Sequence, residues 1–294
     1  MSGYLSYLLP WEFEASWFLF CVGALCLYAR GAWRGRREGY RVGFWRPFSF
    51  TVGILSIYAV TQTHYDYLAQ YMFFTHRLQH LVLHHAGPFL IVMAAPWRVL
   101  WAGAPRLPVP APAARGGLVL VRGLYRVLQN PVVAPVLFVG LIYFWLTPSI
   151  HFDAMLSRRL YDVMNWSMVI DGILFWWLIV DPNTTRGGLA RLGFGARMII
   201  LWVVTVPQII LGAYIGLSNR ILYDVYSVCG RAWPIAPLTD QHLGGLITWI
   251  PAAMMSVLGA LVLIGYWLHG QGDSRAAEAS APARPSSGWR RQPS

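Results

Sequence analysis

The sequence contains no lysine, and it has few charged side chains of any kind. Charged residues make up 12% of its 294 residues, whereas soluble globular chains carry about 25%. Hydrophobic residues make up 56%, with 15 Trp, 15 Tyr and 14 Phe, and the mean hydropathy is +0.47. A soluble domain could not cover so much apolar surface, so we expect an integral membrane protein.

Cysteine is also scarce, and the usual catalytic motifs are missing. The three cysteines have neither C-x-x-C nor zinc-ligand spacing, which excludes a disulfide scaffold and a thioredoxin-type motif. Glycine follows no strict period, which excludes collagen. The sequence has no G-x-S-x-G elbow, no H-E-x-x-H motif and no glycine-rich phosphate loop before a helix. No nucleophile with an adjacent base is therefore indicated.

Seven apolar stretches predict membrane-spanning helices, because a crossing helix needs about 20 mostly apolar residues and lipid-facing backbone must bond internally. The predicted spans are 16–29, 47–64, 71–95, 131–148, 160–180, 196–217 and 243–268. The predicted fold is thus an all-α, seven-helix membrane domain over residues 1–269. Residues 270–294 are rich in Ser, Ala, Pro and Arg and predict a disordered cytoplasmic tail.

The arginines predict the orientation of these spans. Eighteen of the 23 fall in alternate connections and the tail on one side, four fall on the other side, and Arg77 lies inside the third span. Basic residues collect in cytoplasmic loops, so the amino terminus is predicted outside and the carboxyl terminus inside. The net charge of +11 is then explained by topology, and no nucleic-acid partner is expected.

Polar side chains at membrane depth are costly and usually face the bundle interior or a water-filled cavity. In the third span, four residues spaced four apart share one helix face, and two other polar residues lie nearby. Two histidines after span four and at the start of span seven are predicted on the same outer side. These candidates are Met72, His76, His80 and His84, then Arg77 and Gln79, then His151 and His242, with Asp171 in span five and Asp240 before span seven.

Neutral imidazole is a good ligand for copper, and thioether sulfur selects Cu(I). The predicted metal ligands are therefore His76, His80, His84, Met72, His151 and His242. Three other interpretations stay open at this point. The histidines could form interhelical hydrogen bonds, two of them could ligate a b-type haem for electron transfer, or Asp171 and the histidines could line the pathway of a small-solute or ion transporter.

Three ordered motifs resemble the CtaG family of multi-span cytochrome c oxidase assembly proteins. The first is H-x-x-Q-H at residues 76–80, followed by Pro88 and by Ala95-Pro96. The second runs from Trp145-Leu-Thr-Pro through Asp153-Ala to Phe175-Trp-Trp, and the third is the segment 240–251, which begins Asp-Gln-His-Leu-Gly-Gly. The resemblance covers roughly residues 45–268.

This resemblance implies a multi-pass protein of the bacterial inner membrane that is an accessory factor and not an enzyme. Its expected partners are haem–copper oxidase subunits, the lipid bilayer and periplasmic copper chaperones. It implies that copper is handled at the periplasmic side for insertion into the oxidase. His76 and His80 carry over most directly from the family motif, followed by His242 and Asp240.

Overall fold

The structure is a computed structural model that describes residues 12–105, 111–180 and 192–280. Over these ranges the chain forms helices and no strands, which confirms the predicted all-α class for the described residues. The helices are α1 Ala15–Arg37, α2 Trp45–Gln62, α3 Tyr65–Tyr71, α4 Phe73–His80, a π-helical segment Leu81–Ala86, α5 Gly87–Met93, α6 Trp97–Gly103, α7 Ala111–Leu128, α8 Val133–Leu146, α9 Pro148–Leu156, α10 Arg158–Val180, α11 Phe194–Leu217, α12 Val225–Val228 and α13 Pro237–Ser280.

Each of the seven predicted stretches is helical, and several are long and apolar enough to make the chain a multi-pass membrane protein. By length and composition, α1, α10, α11 and the part of α13 up to His269 could each cross a membrane. Two bent pairs raise the number to six within the described residues. Helix α2 is not among these candidates, so seven spans and their orientation stay predictions.

The end of α13 bears on the predicted tail. The backbone is helical as far as Ser280, so residues 270–280 continue the last helix. Residues 281–294 lie outside the described part of the chain, as do three further arginines that contribute to the predicted orientation, Arg106, Arg186 and Arg191.

The third predicted span is interrupted by the π-helical segment Leu81–Ala86, between α4 and α5. Pro88 has no backbone N–H, so the carbonyl of His84 lacks the donor that an α-helix would give it. A wider turn also relieves the clash between the proline ring and that carbonyl. On the other side, Gly172 of α10 approaches so closely that a Cβ there would lie 2.4 Å from the His84 carbonyl oxygen. The extra residue in this turn rotates everything after Leu81 relative to α4.

Helices α1 and α6 cross at two glycines whose backbones nearly touch. A Cβ added to Gly31 would lie 1.8 Å from the Val99 carbonyl oxygen, and one added to Gly103 would lie 2.0 Å from the Leu27 carbonyl oxygen. Small residues permit this close approach, which is how helices pack well in lipid. The α1–α6 crossing therefore depends on both glycines.

We predict that Gly31→Ala destabilises the protein by about 1–3 kcal/mol, because the added methyl group overpacks the crossing and forces α1 away from α6. The measurement is thermal unfolding of the purified protein in detergent. Gly23→Ala is the matched control, since Gly23 lies on the same helix with nothing within 4 Å of its added Cβ. Equal melting temperatures for the two variants would contradict the proposed crossing.

Candidate functional site

The polar side chains of α4 lie in the interior of an otherwise apolar bundle. Thr75, His76, Arg77, Gln79 and His80 are all buried. Neighbouring helices supply most of their partners, as buried polar groups require. Gln79 donates to the Val60 carbonyl of α2 at 2.8 Å, and Arg77 donates through Nε to the Thr248 hydroxyl of α13 at 3.1 Å.

Asp240 of α13 caps the start of α4. Its carboxylate accepts hydrogen bonds from the backbone N–H groups of Phe73 and Phe74 at 3.0 and 2.8 Å. These are among the first amides of α4, which have no partner inside their own helix. Arg231 forms an ion pair with the same carboxylate. Asp240, predicted as a polar residue of the site, thus fixes where α4 begins.

Three histidine rings meet one turn into α4. The ring centroids of His76 and His80 are 4.4 Å apart, and that of His151, from α9, lies 5.1 Å from His76. At most 2% of the surface of any of the three is exposed. We call His76, His80 and His151 the histidine trio. The sequence predicted that these residues share a site, and the structure brings them together.

The partners of His151 define its tautomer. Its Nδ1 lies 3.0 Å from the Trp145 carbonyl oxygen, which can only accept, so Nδ1 carries the proton. Nε2 then holds a lone pair, which accepts from the Tyr226 hydroxyl at 3.0 Å. Burial, reinforced by the charge of Arg77, lowers the pKa of His151 to about 3, so the ring is neutral at physiological pH.

His80 is held in a similar way. Its Nε2 lies 3.1 Å from the Asn165 side-chain oxygen of α10, and this oxygen accepts a hydrogen bond from the ring N–H. The free lone pair of His80 is then on Nδ1, where a guanidinium nitrogen of Arg77 approaches to 3.5 Å. This contact is long for a hydrogen bond.

His76 differs from the other two histidines. It is fully buried, yet neither Nδ1 nor Nε2 makes a hydrogen bond of normal geometry to the described residues. Leaving such a group unpaired costs about 1–3 kcal/mol, so an unpaired polar group in a native core calls for an explanation. His76 is the member of the trio whose lone pair has no protein partner.

His84 lies within the π-helical segment and has a different partner. Its Nε2 is 3.0 Å from a carboxylate oxygen of Asp171 on α10, and its ring stacks on Phe138 at 4.1 Å. His84 and His80 both line a cavity of about 10 Å³, together with Arg77, His85 and Met168. This volume admits one water molecule, and His84 forms a hydrogen bond with Asp171 rather than joining the trio.

Two other predicted ligands, Met72 and His242, are described by their own local contacts. Met72 is buried, but its backbone is extended (φ −143°, ψ 129°) and it precedes α4 instead of continuing its face. The Nε2 of His242 donates to the Ser218 carbonyl at 3.0 Å. Within residues 12–105, 111–180 and 192–280, no three or more His, Cys, Asp or Glu side chains converge as a ready-made metal site.

A second polar network joins α4 to the segment that precedes it. Asp66 of α3 accepts from the side chains of Gln79, Tyr161 and Gln70 at 2.9, 2.8 and 2.7 Å. The Tyr161 ring lies 6.1 Å from the ring of His76. Sequence reasoning missed Tyr161 and Tyr226. The spacing of Tyr161 and Asn165, four apart on one face of α10, could have indicated the first of them.

Residues 26–270 match the family described as cytochrome c oxidase caa3 assembly factor, Caa3_CtaG. The chain belongs to this family. The match spans most of the sequence and includes the trio, α4 and the cap from Asp240, so the resemblance predicted from the H-x-x-Q-H motif is confirmed.

Relatives in mycobacteria are also similar to the chain. An uncharacterised protein of Mycobacterium leprae is 24% identical over 273 residues, which is 87% of this chain and 39% of the relative. An uncharacterised protein of Mycobacterium bovis is 27% identical over 253 residues, which is 82% of this chain and 36% of the relative. The chain thus spans less than two fifths of the length of these relatives. No solved structure is significantly similar to it.

We predict that Asp66 makes the stability of the protein fall as pH rises from about 4 to about 6. Burial raises the pKa of its carboxyl from 3.8 to about 6, so over this range the folded protein holds a proton that the unfolded chain releases. The stabilisation is fully present below the lower value and is lost through the upper one, and it amounts to roughly 3 kcal/mol at most.

Melting temperatures of wild type and Asp66→Asn, measured in detergent between pH 4 and 8, check this prediction. The substitution should flatten the acid side of the profile because an amide does not titrate. Asp153→Asn, at an exposed position, should keep the wild-type profile. An unchanged pH dependence in Asp66→Asn would show that this carboxyl is not the titrating group.

Proposed function

We propose that this protein assists the assembly of a caa3-type cytochrome c oxidase by holding Cu(I) transiently at its histidine trio. Family membership supports the assembly role. The observation that carries the copper role is the buried His76 ring, which makes no hydrogen bond of normal geometry to the described residues and has two further imidazoles within 5.1 Å, centroid to centroid. Copper is here the cargo of the protein, and its destination is a metal centre of the oxidase.

The hydrogen bonds around the trio fit this cargo. Histidines that bind metals usually donate their second ring N–H to a carbonyl, an amide or a carboxylate, which fixes the tautomer and aims the lone pair. His151 and His80 both have such an acceptor, in the Trp145 carbonyl and the Asn165 side chain. The remaining lone pair of His151 faces the Tyr226 hydroxyl, which can rotate away, and that of His80 faces only the long contact with an Arg77 nitrogen.

The trio can therefore offer neutral imidazole nitrogens, which suit copper. A low coordination number is common for Cu(I), so a pair or a trio of imidazoles suffices, and a ready-made cage is not required for temporary binding. A cage that matched the ion closely would hold it too tightly to pass it on. His84 and His242 have other partners, and we leave them out of the copper-binding set.

The same proposal includes the placement of the protein in the cell. We propose seven membrane spans in a bacterial inner membrane, with the amino terminus outside and the trio toward the periplasmic side. The arginine distribution supports this orientation, and the mycobacterial relatives are bacterial proteins. The partners are then oxidase subunits, the lipid bilayer and periplasmic copper chaperones, and the protein is an accessory factor, not an enzyme.

The two rival functions have less support. A haem needs far more space than the cavity of about 10 Å³ beside His80, His84 and His85, so bis-histidine haem binding would require these helices to separate. For a transporter, Asp171 would have to face a pathway, whereas it is buried against His84.

We predict that purified full-length protein binds Cu(I) stoichiometrically and that His76→Ala/His80→Ala abolishes this binding. Anaerobic titration against a Cu(I) chelator measures it. Asn165→Leu removes the acceptor that fixes His80 and should weaken binding by roughly 10–100-fold. His242→Ala and His269→Ala are matched controls that should bind as wild type does. Wild-type affinity in the double variant would contradict the copper role of the trio.

The assembly role has its own test in a strain that lacks the gene. We expect the purified oxidase from this strain to contain haem but too little copper, and to regain copper with the wild-type gene but not with His76→Ala/His80→Ala. Immunoblots of the membranes control for the amount of each variant. Normal copper loading without the gene would remove the proposed function, whereas rescue by the double variant would remove only the trio from it.

A further inference from the structure

Helix α7 carries an apolar face that the rest of the described chain leaves uncovered. Leu120, Leu124 and Val127 are 74%, 58% and 58% exposed. Their spacing of four and three residues places them along one side of the helix. An uncovered apolar stripe of this kind needs an apolar surface beside it.

The opposite side of α7 is basic. Arg122 and Arg126 are four residues apart and exposed, so they form one ridge. At 100° per residue this ridge points away from the apolar stripe. A helix with one apolar side and arginines on the other has the pattern of a segment that lies in the membrane interface.

The orientation of α7 fits that location. The part of α7 whose side chains are described, Val119–Leu128, is bent by 73° from α8, and the two helices together make up one of the bent candidate spans. A helix nearly perpendicular to a spanning helix runs close to the plane of the bilayer. The junction is fixed, because the Gln129 side chain donates to the Leu174 carbonyl of α10 at 2.9 Å, and Asn130 accepts from the Val132 N–H at 2.9 Å.

We propose that α7 lies in the headgroup layer of the membrane that holds the protein, with its apolar stripe toward the acyl chains and Arg122 and Arg126 bound to anionic phospholipid headgroups. Two observations favour lipid over a protein partner. Exposed valines also lie at the start of α8, Val132 just before it and Val136 in its first turn. At this end of α8 a spanning helix would meet lipid. The arginine ridge lies on the arginine-rich side of the predicted topology, and the headgroups of anionic lipids complement it.

The test uses the full-length protein in nanodiscs of phosphatidylcholine alone or mixed with phosphatidylglycerol, which expose both faces. Cys21, Cys26 and Cys229 are replaced, and single spin labels are introduced along α7. In the anionic discs, labels at Leu120, Leu124 and Val127 should be several-fold more accessible to oxygen than labels at Arg122 and Arg126, which should be accessible to a water-soluble nickel complex. Labels at Trp202 and Asn219, both exposed, serve as references for lipid and water.

Every other pattern overturns the proposal. Nickel access at the apolar positions would mean a helix in water, and low access to both reagents would mean that protein covers the stripe. The difference in label accessibility between anionic and neutral discs should be lost in Arg122→Gln/Arg126→Gln. It should be kept in Arg36→Gln/Arg37→Gln, which removes the same charge from another exposed pair. If Arg122→Gln/Arg126→Gln left this difference between the discs unchanged, the proposed headgroup contact would be wrong.

A second measurement needs no cysteine replacement. Trypsin cleaves after arginine, so cleavage after Arg122 and Arg126 in the wild-type protein, followed by mass spectrometry, reports how accessible α7 is. We expect cleavage several-fold slower in anionic discs than in neutral ones. Equal rates in both kinds of disc would overturn the headgroup contact even if the cysteine-free protein did not fold.

Discussion

Helix α4 can occupy the centre of an apolar bundle only because its neighbours supply partners for nearly every polar group that it buries. The partners come from α2, α3, α10 and α13, through Val60, Asp66, Asn165, Thr248 and Asp240. Each unpaired group would cost about 1–3 kcal/mol, so together these contacts fix the register of α4 against four other elements. The residues that hold the fold together are thus the residues that position His76, His80 and their surroundings.

The π-helical segment decides which histidines share a site. In an uninterrupted α-helix, His76, His80 and His84 would line one face, and His84 would extend the trio inward. Because Pro88 cannot donate to the His84 carbonyl, the turn widens, and His84 pairs with Asp171 at 3.0 Å instead. The third histidine of the trio therefore comes from another helix. His151 joins the trio from α9, with seventy residues between it and His80.

This geometry explains how far the sequence could lead. The apolar stretches predict the helices within the seven proposed spans, because length and hydropathy suffice for that, but not α3, α6, α7, α9 and α12. The H-x-x-Q-H spacing predicts the neighbouring rings of His76 and His80. The position of His242 could not be predicted, since it depends on which loop carbonyl lies nearest, and the carbonyl is that of Ser218. Met72 was placed on the helix face because nothing in its side chain reveals that α4 begins one residue later, at the amides that Asp240 caps.

The same contacts bear on how copper would leave the proposed site. A cation on the Nδ1 of His80 would replace the contact with Arg77, whose guanidinium nitrogen is 3.5 Å away. Two like unit charges about 4 Å apart repel by roughly 4 kcal/mol at an effective dielectric of about 20, which is about a thousandfold in affinity. Arg77 is held in place by Thr248 and cannot easily withdraw. The buried charge of Arg77, next to the histidines of α4, would therefore favour brief occupancy of the trio by copper, as its delivery to the oxidase requires.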